Sequence, residues 1–125
     1  MISCTQVSDN HIEKTENHFG TIEVGDAKSL AMDAFNDAYV ANDMSGQEEL
    51  FAENAVANVN GQETTPATMM EGFLRGHNFY SDIQNSERAT GTFVLDNGEI
   101  YTNTWFDWKG TSNATGKTVS SPVQA

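Results

Sequence analysis

Residues 90–109 read TGTFVLDNGEIYTNTWFDWK, and this stretch decides the fold class. Thr90, Thr92 and Val94 lead into Asp96-Asn97-Gly98, where an Asn-Gly pair tolerates the positive φ angles that tight hairpin turns demand. The return strand runs from Glu99 to about Lys109 with a period of two. One of its faces carries Ile100, Thr102, Thr104, Phe106 and Trp108; the other carries Glu99, Tyr101, Asn103, Trp105 and Asp107. Both faces hold aromatics, and one small domain can cover only one of them with its own helices. The face of Tyr101, Asn103 and Trp105 is therefore expected to pair with a second copy of the chain. A loop from Gly110 to Gly116 leads to a last strand, Lys117 to Val123.

Upstream the period is helical. Asp26 is a good N-cap, and Leu30, Ala31, Ala34, Phe35 and Ala38 recur at i, i+3 and i+4, widened by Met32 and Tyr39. Asn42-Asp43 ends this helix. Ser45-Gly46-Gln47-Glu48 has the S-x-x-E form of a capping box and predicts a short second helix carrying Leu50 and Phe51. A strand from about Ala55 to Asn60 ends at Gly61. Thr65-Pro66 then opens a third helix, whose stripe is Met69, Met70, Phe73, Leu74 and His77. Helices first and antiparallel strands after make an α+β domain spanning residues 25–125. Residues 1–24 are polar and without periodicity, a flexible tail.

At 125 residues the chain holds one domain. Six basic against eighteen acidic residues give a net charge of −12, which repels phosphate backbones and anionic lipid and argues against nucleic acid as a partner. No segment is long and apolar enough to be a transmembrane helix. The single cysteine, Cys4, rules out an internal disulfide and a thiolate zinc cluster. Ile2-Ser3-Cys4-Thr5 has the form of the end of a bacterial lipobox, without the charged and apolar regions that should precede it. Two readings stand. Either a signal peptide was removed and the protein is periplasmic or lipid-anchored through Cys4, or Cys4 is an incidental thiol of a cytoplasmic protein. His11 and His18 would share a helix face but have no third ligand nearby, so no metal and no cofactor are expected.

Ala38-Tyr39-Val40-Ala41-Asn42-Asp43, followed by Glu49-Leu50-Phe51-Ala52-Glu53-Asn54-Ala55, resembles the opening of the nuclear transport factor two-like superfamily, in its SnoaL-like branch. Trp108-Lys109-Gly110-Thr111 and Thr115-Gly116-Lys117 are similar to that branch's punctuation. The resemblance covers residues 26–125. It implies a cone in which three N-terminal helices pack on a curved, mostly antiparallel sheet around an apolar cavity. Members usually continue through one more strand, so it also implies a sheet short of its last strand or a chain cut short.

Ketosteroid isomerases of this fold combine an Asp base with a Tyr and a protonated Asp as oxyanion donors. By the resemblance, the tyrosine position falls on Phe35, the base position on Val59 and the buried acid on Gln124. Steroid-isomerase chemistry is therefore not expected. His77 and Gln124 remain as catalytic candidates, His77 as a general base and Gln124 as an amide donor, with a structural role for His77 as the alternative. Phe35, Tyr39, Val59, Phe73, Phe106 and Trp108, with Phe79 and Tyr80 beside them, either line a pocket for an apolar small molecule or fill the core. Asn58 and Asn60 share a strand face that looks either inward at a ligand carbonyl or outward to solvent or a partner subunit. Three functions follow: a non-catalytic small-molecule-binding or accessory domain, a lyase, isomerase or cyclase acting on a hydrophobic carbonyl compound, or a structural dimerisation module.

Overall fold

The computed structural model describes residues 19–125; Cys4, His11 and His18 lie outside the described residues. The chain runs β1 (Gly20–Glu23), α1 (Ala27–Val40), a 3-10 turn (Gln47–Leu50), β2 (Ala57–Val59), β3 (Gln62–Thr64), α2 (Pro66–Arg75), a second 3-10 turn (Gly76–Asn78), β4 (Tyr80–Leu95), β5 (Ile100–Ser112) and β6 (Thr118–Gln124). The fold is α+β. A four-stranded sheet of order β1-β4-β5-β6 is antiparallel throughout, and β2 and β3 form a separate hairpin.

Both α-helices start where their caps put them. Asp26 Oδ2 accepts from Lys28 N and Ser29 N at 3.2 and 3.4 Å, and Thr65 Oγ1 accepts from Thr68 N at 3.1 Å ahead of Pro66. The expected second helix is instead the single 3-10 turn of Gln47–Leu50, so two α-helices stand among the described residues where three were expected. Its capping box does not close. Ser45 Oγ turns back to donate to Asp43 Oδ1 at 2.6 Å, and Gly46, at φ 81°, opens the turn without a side-chain cap. A nearby carboxylate outcompetes the distant amide, which is how serine leaves helices.

Residues 20–23, read from sequence as the end of a tail, pair with β4 over Gly20–Leu95 to Glu23–Thr92. The strand β3 was also unexpected. Asn60 and Gly61 have φ 51° and 82°, so Asn-Gly makes a two-residue turn of primed type and Val59 pairs with Gln62. The Asn97-Gly98 turn is different. Only Gly98 is left-handed, at φ 91°, and Leu95 pairs with Glu99 across a three-residue loop.

Strand β4 carries two bulges. Between Ser81 and Gln84, and again between Ser86 and Ala89, it advances by one residue more than β5 does. Asp82 and Glu87, at φ 52° and 54°, sit in these insertions. Each bulge bends the strand and sharpens its twist, so β4 and β5 curve along their length.

Helix α1 crosses the face of Thr90, Thr92, Thr102 and Thr104, and the contact is polar. Asp26 accepts from Thr92 Oγ1 at 2.8 Å and from Ser29 Oγ at 2.5 Å; Ser29 Oγ lies 3.1 Å from Thr92 Oγ1. Asp33 accepts from Thr90 Oγ1 at 2.6 Å, and Arg88 bonds Asp37 at 2.9 Å. Among the described residues Ser29, Thr92 and Thr104 are the largest fully buried side chains, and Asn36 of α1 is buried as well. The expected apolar stripe is thus turned aside: Leu30 is 59% exposed, while Ala31 and Phe35 line an open cleft together with Thr102 and the end of β6. Threonines on the strands supply hydroxyl donors, and a helix bearing Asp26, Ser29 and Asp33 meets them with acceptors. Among the described residues only Met44, Ala57, Met70 and Ile83 are buried apolar side chains.

Candidate functional site

The apolar side chains missing from the core wall a cleft of about 930 Å³. Helix α1 contributes Ala27, Lys28, Ala31, Met32 and Phe35; the first 3-10 turn and its end contribute Leu50 and Phe51. The β2–β3 hairpin brings Asn58, Val59 and Asn60, and α2 brings Met69 and Phe73. Thr102 and residues 121–125 close the sheet side. The rotation of α1 explains this wall. Spending its polar face on the strand threonines leaves its Ala31–Phe35 face for the cleft. The volume lies in the range of small-molecule sites, about 300–1,000 Å³.

Four of the residues expected at a site line the cleft: Phe35, Val59, Phe73 and Gln124. Phe35 meets Phe51 edge to face, with ring centroids 5.9 Å apart. The other four do not line it. Tyr39, His77 and Trp108 form a cluster behind Phe73, and Phe106 lies on the helix-facing side of β5 opposite Val123. Trp108 Nε1 donates to Tyr39 Oη at 2.8 Å, and His77 Nε2 bonds the Tyr39 carbonyl at 2.7 Å. Since a carbonyl only accepts, the His77 proton on that bond sits on Nε2. Tyr39 stacks edge-on with Phe73 at 6.0 Å and His77 at 5.2 Å, and Tyr80 does the same with Trp108 at 5.1 Å. Burial pushes the Tyr39 phenol above its ordinary pKa, with the Trp108 hydrogen bond pulling the other way. That phenol is neutral at physiological pH and acts as a structural acceptor.

Gly110 makes this cluster fit. A Cβ there would stand 2.6 Å from Trp108 Cη2, so the outer edge of the indole lies over the glycine two residues along the same strand face.

Gln124 reaches the cleft at its sheet edge. The register sets it directly opposite Trp105, while Val123 opposes Phe106. Directly opposed residues share a face, so the Gln124 Cβ is on the side of Trp105. His77 is outside the lining altogether.

Sequence reasoning passed over Lys28, Ala31, Met32, Leu50, Phe51 and Met69 as site residues. The signal was there in Leu50-Phe51, two large apolar residues on a predicted helix too short to carry a stripe of its own. Asn58 is partly committed, because its Oδ1 accepts from Gly61 N at 3.0 Å in the hairpin turn.

Among the described residues Lys28 is the only charged side chain in the lining. Among the described residues no group of three His, Cys, Asp or Glu side chains comes together as a metal site would need. Also among the described residues, no helix is long and apolar enough to cross a membrane. No family model matches the chain, and no curated protein or solved structure matches it.

Proposed function

We propose that this chain is a small-molecule-binding domain, non-catalytic or accessory in role, whose cleft takes an apolar ligand, and that its fold is the nuclear transport factor two-like cone of the SnoaL-like kind. The observation that carries the reading is the cleft itself, walled by Ala31, Met32, Phe35, Phe51, Val59 and Phe73 in a domain that buries few apolar side chains elsewhere. The α+β order and the antiparallel sheet bent by two bulges support the cone. Binding is favoured over turnover because, among the described residues, the one imidazole, that of His77, is committed to the Tyr39 carbonyl. Thermal unfolding with and without 1-decanol tests the reading. A ligand bound only by the folded state raises the midpoint. Wild type should be stabilised and an Ala31→Phe variant, with the cleft blocked, should not. Equal shifts in both would place the alcohol elsewhere.

We further propose that two copies pair through the sheet face away from α1. Tyr101 is 50% exposed and Trp105 40%, and the register sets Ile22, Phe93 and Tyr101 in one row across that face, with Asn103 and Trp105 in the rows beyond. Sedimentation at tens of micromolar should give a dimer that Trp105→Glu converts to a monomer; a wild-type monomer would end the proposal.

A further inference from the structure

Thr102 carries strand β5 into the cleft wall, and a chain of hydroxyls ties it to a carboxylate. The register pairs Thr102 directly with Thr92, so both side chains stand on the side of the sheet that α1 covers. Thr102 Oγ1 lies 3.1 Å from Thr92 Oγ1, and Thr92 Oγ1 lies 2.8 Å from Asp26 Oδ2.

The carboxylate sets the direction of this chain. The Ser29 hydroxyl holds the Asp26 carboxyl below its ordinary pKa, so at neutral pH it is ionised and can only accept. A hydroxyl has one proton to give. Thr92 gives its proton to Asp26; given to Thr102 instead, it would leave two bare oxygens, one of them anionic, 2.8 Å apart. Thr92 is therefore an acceptor toward Thr102, and the Thr102 proton is committed to Thr92. Thr102 Oγ1 keeps its lone pairs, and among the described residues no other group donates to them.

Strand β4 lies on one side of β5 and β6 on the other. Thr92 takes the β4 side of Thr102, and the end of β6 that lines the cleft is on the opposite side, where a ligand meets Thr102. The other polar side chains of the lining, Lys28, Asn58, Asn60, Ser121 and Gln124, are exposed, so water satisfies them whichever ligand is bound. Thr102 is half-buried, and Thr92 behind it is 1% exposed, so solvent does not reset the direction of its proton. A ligand hydroxyl arriving there meets an acceptor already oriented. A ligand carbonyl meets a second acceptor with no proton between the two, and loses its water without a replacement.

We propose that Thr102 selects the polar group of the cleft ligand: an apolar molecule bearing a hydroxyl, which donates to Thr102 Oγ1, binds in preference to its carbonyl counterpart. This rests on the reading of the cleft as a ligand site.

Competition of 2-decanol and 2-decanone against a neutral apolar dye, Nile red, below their solubility limits tests it. The two share one skeleton and differ in whether the oxygen can donate. The quantity read is the ratio of the ketone's Kd to the alcohol's, and comparing that ratio between proteins cancels the difference in their hydrophobicity. It should be about three- to tenfold higher in wild type than in Thr102→Val, the range of one neutral hydrogen bond. Thr102→Ser should keep the wild-type ratio. Thr92→Val frees the Thr102 proton to turn to the ligand and should lower the ratio by tightening the ketone, with circular dichroism confirming that each variant is folded. The two Thr102 variants decide the matter if Thr92→Val does not fold. If both compounds displace the dye and the ratio is the same in wild type and Thr102→Val, the hydroxyl preference is overturned while the ligand cleft stands. If neither compound displaces the dye from wild type, the cleft reading falls and takes this inference with it.

Discussion

Trp108 Nε1 donates to Tyr39 Oη across 2.8 Å, and this bond joins strand β5 to helix α1 behind the aromatic wall of the cleft. Tyr39 in turn holds Phe73 by an edge contact, so the position of a cleft residue on α2 depends on a hydrogen bond made outside the cleft. Removing the phenol oxygen leaves a part-buried indole N–H without a partner. Tyr39→Phe should therefore destabilise the fold by about 1–2 kcal/mol. The midpoint of urea unfolding checks this, and an unchanged midpoint would remove the bond from the account.

Gly110 is needed for space and not for backbone freedom, since it is absent from the positive-φ positions. Gly110→Ala forces the Trp108 ring aside and should cost about 1–3 kcal/mol, as overpacking does. The cost should not add to that of Tyr39→Phe, because both variants lose the same hydrogen bond. Full additivity in the double variant would mean that the indole keeps its place over an alanine.

The Ser29 hydroxyl holds the Asp26 carboxyl below its ordinary pKa, with burial opposing, and bonds from Thr92 and the Ser29 amide add to the lowering. A carboxyl with a depressed folded pKa contributes stability above its unfolded value, near 3.8, and that contribution is lost as pH falls through the lower folded pKa. The urea midpoint of wild type should fall between pH 6 and pH 3. In Asp26→Asn it should start lower and fall less, because the titrating group is gone. A variant with the same acid sensitivity as wild type would assign the effect to other carboxylates.

The parts of the fold governed by local rules were legible in the sequence. Asp26 and Thr65-Pro66 announced both α-helix starts, and the period-two pattern from Thr90 to Lys109 announced the long hairpin. What failed depended on competition between neighbours or on distant partners. Ser45 preferred Asp43 to the helix it was expected to cap, and Asn60-Gly61 turned a lone strand into a hairpin. The face of α1 was misjudged because apolar spacing was weighed without the threonines it would meet. Strand hydroxyls sixty residues away set the rotation of α1, and that rotation made Ala31 and Lys28 cleft residues. Half of the expected site, Phe35, Val59, Phe73 and Gln124, does line the cleft. Aromatic content alone could not separate these from Tyr39, Phe106 and Trp108, which the fold uses elsewhere.

The central claim is that the cleft between α1, the β2–β3 hairpin and α2 binds an apolar ligand. Amide chemical shifts of the isotope-labelled protein, followed during titration with 1-decanol, test it most directly. The account predicts saturable shifts at Ala31, Phe35, Phe51, Val59 and Phe73, with Tyr101 and Trp105 on the opposite sheet face unmoved. Saturable shifts confined to the face of Tyr101 and Trp105, or none at all up to the solubility of the alcohol, would contradict it.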